Sequence, residues 1–137
     1  MGKILLTSLC FFLVIAHNAA GESNIDSRLA YDDPAQWMAL SYERITLSDG
    51  VSQDEARELS GSYFVAFISG CGGPFQITEE GPDWSISTLE GLGAQPGPTI
   101  SINKMNGKIV SPGHPTVEAL NSNGITKVRI HAAPKNN

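Results

Sequence analysis

Cys71 and His114 are the residues of this chain whose types could make a nucleophile and its base. A thiolate nucleophile needs a base within hydrogen-bond reach and a lowered pKa, commonly supplied by a helix N-terminus. Cys71 instead follows the C-terminal end of a predicted helix, where the dipole opposes a thiolate. Its setting, Gly70-Cys71-Gly72, fits a buried turn residue, and His114, between Gly113 and Pro115, fits a loop. His131 reads as an exposed strand-end residue. No paired ligand spacing joins these histidines to acids, so neither a metal nor another cofactor is expected. Glu79, Glu80 and Asp83 form a small acidic cluster beside Trp84. Paired carboxylates can do glycosidic chemistry, but acids in a turn are ordinarily solvated. On a binding protein the same turn offers a contact to a basic partner, because charge complementarity speeds association. Trp84 itself reads as core. Residues 91–98 are glycine-rich but lack both a Lys-Ser/Thr ending and the G-x-G-x-x-G pattern, so they read as a surface connection rather than a phosphate cradle.

The elements that must position these residues begin after a segment to be set aside. Met1 to Gly21 reads as a secretory signal: Lys3 gives a positive start, Ile4 to Ala16 is apolar, and Ala19-Ala20-Gly21 offers small residues for cleavage. The apolar run is about 13 residues, short of the ~20 that span a bilayer. Cleavage implies a periplasmic or secreted protein with no stable membrane insertion. It also removes His17 and Cys10, leaving Cys71 without an internal disulfide partner.

The remaining chain punctuates as helices followed by strands. Residues 22–32 read as a loose N-terminal arm, 33–131 as one domain and 132–137 as a polar tail. Asp33-Pro34 opens a short helix to about Arg44, with Trp37, Leu40 and Tyr42 available for packing. Ser52-Gln53-Asp54-Glu55 is a capping box for a longer helix to about Ser69. Along it Ala56, Leu59, Tyr63, Phe64 and Phe67 form one apolar stripe. Burying its three aromatics is worth roughly 1.5–3 kcal/mol each. Gly61 costs ~1 kcal/mol in the helix interior and allows a bend there, and Tyr63 to Ile68 taken alone also suits a strand; the capping box and the stripe favour the helix. Strands are expected at 75–78, 84–87, 99–104, 108–110 and 125–131. Asn106-Gly107 carries the two-residue type I′ signal, Thr116 to Asn121 reads as a short helix, and Asn123-Gly124 turns the chain. The predicted strands show no Asp–His pair for acid–base work. Helices followed by a run of strands argue for an α+β fold, with N-terminal helices packed on a curved antiparallel sheet.

Composition bounds the function. The chain has 137 residues, 41% hydrophobic and 17% charged, with a formal charge of −5. That is globular and too apolar for disorder. Loss of Lys3 with the signal takes the charge to −6, so a basic footprint for nucleic acid is absent. About 116 residues remain, sufficient for a modest core.

From Tyr63 to Pro115 the chain resembles bacterial immunity proteins of the nuclear transport factor 2-like fold. The matching features are Tyr63-Phe64, Gly70-Cys71-Gly72, Trp84, the glycine-rich 91–97, Ile100 to Asn103, Lys104 to Ile109, and Ser111-Pro112-Gly113. Small peptidase-propeptide-like (PepSY) modules share the tryptophan strand and glycine hairpin and are the alternative resemblance. The first resemblance implies a cone-shaped α+β domain, also called cystatin-like, that binds and neutralises a cognate toxin without catalysis. With the signal, it implies a toxin acting in the periplasm, and Glu79, Glu80, Asp83, Trp84 and His114 are the candidate contact residues. The alternatives are a periplasmic binding or peptidase-regulating module, and a small enzyme of the same cone-shaped fold.

Overall fold

The computed structural model describes residues 28–135. The expected signal, residues 22–27 of the expected arm and residues 136–137 lie outside them. Among the described residues the order is α1 (Leu29–Asp32), α2 (Pro34–Tyr42), a single 3₁₀ turn (Leu47–Asp49), α3 (Gln53–Phe67), then seven strands. These are β1 (Gly72–Glu80), β2 (Asp83–Glu90), β3 (Gln95–Pro96), β4 (Ile100–Asn103), β5 (Ile109–Val110), β6 (Thr116–Ser122) and β7 (Ile125–His131). They form one antiparallel sheet in the order β1-β2-β4-β5-β6-β7, with β3 paired to β2 beyond the end of β4. The fold is α+β, with helices packed against a sheet.

Local chemistry explains the helix starts. Asp33 accepts from the Gln36 amide at 3.0 Å, and Pro34 opens α2. Ser52 and Glu55 close the expected capping box, with the Ser52 amide bonded to Glu55 at 2.8 Å. α3 then buries Ala56, Leu59, Tyr63 and Phe64, with Phe67 at the margin of the core. The long helix lies over β1, β2 and β4, and α2 lies over β7. Ile86, Ile100, Ile102, Ile109 and Val117 rise from the sheet to meet them, each fully buried. Two tyrosines fasten the layers. Tyr42 donates to the Gly107 carbonyl and Tyr63 to the Pro115 carbonyl, both at 2.6 Å. Burial pushes both phenols well above their ordinary pKa, and for Tyr42 the charge on Glu118 adds to the shift.

Four expectations need correction. Residues 116–121 form the strand β6, not a short helix. Val117 fills a core position there and β6 pairs with β7 along its whole length. The arm is not loose where it is described: Leu29–Asp32 is a helical turn and Ala30 is fully buried. Residues 91–98 include the short strand β3. Asn106-Gly107 is not a two-residue turn. Asn103 and Lys108 close a four-residue connection, in which the Asn103 side chain accepts from the amides of Met105 and Asn106. The two-residue turn with both residues at positive φ falls at Asn123 (53°) and Gly124 (75°), between the paired Ser122 and Ile125. That is the type I′ requirement.

Candidate functional site

Strand alternation sorts the expected contact residues onto two faces. Glu79 and Trp84 pair across β1 and β2 and point to the helix side. Glu80 and Asp83 pair at the end of the same hairpin and point to the face that no described helix covers. The acidic cluster is therefore divided by the sheet, and its members meet different neighbours.

On the helix side the hub is Lys104. Its ammonium bonds Glu79 at 2.5 Å and the Gly81 carbonyl at 2.7 Å, and lies 5.0 Å from the Trp84 ring centroid. Its backbone amide donates to the Pro82 carbonyl, and its carbonyl accepts from Val51. The Trp84 indole N–H donates to the Val51 carbonyl at 2.7 Å. Trp84 is half-buried and packs against the core. These bonds draw three connections together at one end of the sheet: the β1–β2 turn, the β4–β5 connection and the residues before α3. Beside them is a shallow depression of about 310 Å3, lined by Gly50, Val51, Ser52, Glu55, Lys104 and Met105. The Met105 side chain stands 78% exposed at its rim.

On the uncovered face, Asp83 accepts from Asn103 at 3.0 Å and from Ser101 at 3.3 Å. Thr78, Ser85, Ser87 and Ser101 carry hydroxyls on the same face, by strand alternation. Farther across, Glu118 on β6 links His131 on β7 to Lys108, the residue just before β5. One oxygen meets Lys108 and the other His131, each at 3.0 Å. The hydrogen bond from His131 and then that from Lys108 hold the Glu118 carboxyl below the ordinary glutamate range. Two shallow depressions share Lys108. One, of about 250 Å3, includes Asp83 and Asn103, and the other, of about 190 Å3, includes Asn106 and Glu118.

The remaining sequence candidates are elsewhere. His114 lies in the connection from β5 to β6, at the end of the sheet opposite the β1–β2 turn. Its Nδ1 is 3.0 Å from the Pro112 carbonyl. The structure does not bring it to Glu79, Glu80, Asp83 and Trp84. Cys71 is exposed, not buried, and lies just before β1. Sequence reasoning missed the Glu118–His131 pair because 116–121 was read as helix. As a strand, the same residues place Glu118 two positions from Thr116, the cross-strand partner of His131. The available signal was the alternation of Val117 and Ala119 with Glu118 and Leu120. Among the described residues no group of three or more His, Cys, Asp or Glu could hold a metal ion.

No family model matches the chain, and no curated protein and no solved structure matches it either.

Proposed function

We propose that this chain is an exported, non-catalytic immunity protein that neutralises a bacterial toxin by docking on it. The observation that carries this reading is the uncovered sheet face, on which the carboxylates of Asp83 and Glu118 are already bonded to neighbouring side chains. Asp83 is engaged by Asn103 and Ser101, and Glu118 by Lys108 and His131. Groups already bonded to one another suit a complementary protein surface better than a reacting atom. The depressions on that face are shallow, and small hydroxyl side chains leave it open to a broad contact. Glu80 and Asp83 at the hairpin end favour a basic patch on the partner. The resemblance to immunity proteins points to a toxin as the partner, and the signal-like N-terminus points to the periplasm.

One observation favours a second reading, a small enzyme. Glu118 and His131 form a carboxylate–imidazole pair of the kind used in proton transfer. Both side chains are open to water, 27% and 47% exposed, which favours docking over catalysis.

The test is co-expression with each protein encoded beside the gene. The expected result is survival together with a co-purifying complex, weakened by Glu80→Lys. Full lethality of every neighbouring toxin would refute the proposal. Recovery of a peptidase in place of a toxin would point to the regulatory module instead.

A further inference from the structure

β7 ends the sheet, and its outer edge has no strand beside it among the described residues. The two-residue turn at Asn123-Gly124 fixes which backbone groups face outward. The closing pair, Ser122 and Ile125, exchanges its hydrogen bonds, and bonded and non-bonded pairs alternate from there. Lys127, Arg129 and His131 therefore bond inward to β6. The amides and carbonyls of Thr126, Val128 and Ile130 point to the open edge. No described backbone group outside the sheet bonds to them.

The side chains along this edge are sorted by charge. Lys127 and Arg129 share the uncovered face, and Val128 and Ile130 turn toward the core under α2. Glu118 sits across from Arg129, but its two oxygens are taken by Lys108 and His131. Neither Lys127 nor Arg129 makes an ion pair among the described residues. Two unneutralised cations thus lie two residues apart on the edge strand of a chain whose net charge is −5.

We infer that the β7 edge takes up an extended acidic segment of a partner protein as an added antiparallel strand. Main-chain bonds to Thr126, Val128 and Ile130 supply the pairing, and alternate side chains supply the selection. Carboxylates on the added strand would stand directly opposite Lys127 and Arg129, where opposite charges stabilise a cross-strand pair. Apolar residues between them would extend the buried face beyond Val128 and Ile130. The same cations act against pairing with a second copy. Two antiparallel β7 strands centred on Val128 would set Lys127 against Arg129, and edge lysines are a known device against self-association. The β1 edge of another copy is a poor match as well, because Glu80 is its one acid on the corresponding face and its pairing is irregular between Pro74 and Gln76. This inference does not rest on the toxin reading, since the edge chemistry is the same whatever the partner does.

The experiment uses a short synthetic peptide alternating glutamate and valine, with a lysine–valine counterpart. Amide hydrogen exchange is followed residue by residue. The acidic peptide is expected to bind and to slow exchange at Thr126, Val128 and Ile130, with little change at Lys127, Arg129 and His131, which β6 already protects. The double variant Lys127→Glu/Arg129→Glu should weaken that binding by about tenfold or more and turn the preference to the lysine peptide. Both side chains are exposed, so the variant should keep its fold, checked by its spectrum and a single cooperative melt, at a somewhat lower temperature because Arg129→Glu sets a second carboxylate across from Glu118. Absence of binding, equal binding of both peptides, or binding without protection at those three amides would overturn the inference. So would protection in the protein alone, which would mean that the edge is already filled by its own N-terminal residues or by another copy.

Discussion

Trp84 and Val51 are joined by one hydrogen bond, indole N–H to carbonyl oxygen at 2.7 Å, which ties the sheet to the residue just before the α3 capping box. Val51 is buried, so its carbonyl has little access to water as a substitute. Trp84→Phe keeps an aromatic ring beneath Lys104 and removes the donor. A loss of about 1–3 kcal/mol is expected, the cost of leaving a buried acceptor unpaired. Denaturant unfolding measures it. Unchanged stability would show that the bond contributes nothing.

The capping box gives a prediction with a pH dependence. Ser52→Ala should destabilise by ~1 kcal/mol. Glu55 lies below the ordinary glutamate range because the backbone amides of Ser52 and Thr46, in that order, bond its carboxylate. A depressed pKa in the folded state means a contribution that is full above the ordinary glutamate range and lost as pH falls through the folded value. Glu55→Gln should therefore be less stable than the parent at neutral pH, and the gap should close on acidification. A gap that stays constant with pH would contradict this account.

Gly61 occupies the interior of α3, and a Cβ built there meets nothing within 4 Å. Gly61→Ala should stabilise the protein by about 0.5–1 kcal/mol, mostly by restricting the unfolded chain. A higher melting temperature with an unchanged spectrum is the expected readout.

Gly107 is the opposite case. Its φ is +69°, and a Cβ would lie 2.9 Å from Leu47 Cδ2 and 3.1 Å from Tyr42 Cε1. Its carbonyl also receives the Tyr42 hydroxyl. Gly107→Val should be strongly destabilising, by more than ~2 kcal/mol, from backbone strain and overpacking together. Thermal melting close to the parent's would contradict the structure at this position.

Much of the architecture was legible because local signals agreed with the fold. The Ser52–Glu55 box and the stripe from Ala56 to Phe64 specify α3 without help from the sheet. Ile125–His131 alternates clearly and is the strand expected. Thr116–Ser122 misled because a threonine before a mixed apolar run also resembles a capped helix. What makes it a strand is pairing with Ile125–His131 along its length, a non-local contact that no window of sequence displays. Asn106-Gly107 misled for a related reason. The dipeptide suits a two-residue turn, but the Asn103 side chain caps the amides of Met105 and Asn106 and fixes a longer connection. The candidate site suffered most. Adjacent acids such as Glu79 and Glu80 look like one cluster in the sequence, yet alternation sends them to opposite faces. Lys104 and Glu118, the side chains that organise the two faces, acquire their partners only through sheet register.

The central claim, neutralisation by docking without bond chemistry, is tested most directly by titrating a toxin encoded beside this gene with the purified protein while following the toxin's own activity. A docking inhibitor should abolish that activity at a sharp stoichiometric end point and leave the excess toxin active below it, with both chains recovered unaltered in mass. Inactivation of a large excess of toxin by a trace of this protein, or a change in the mass of either chain, would contradict the claim.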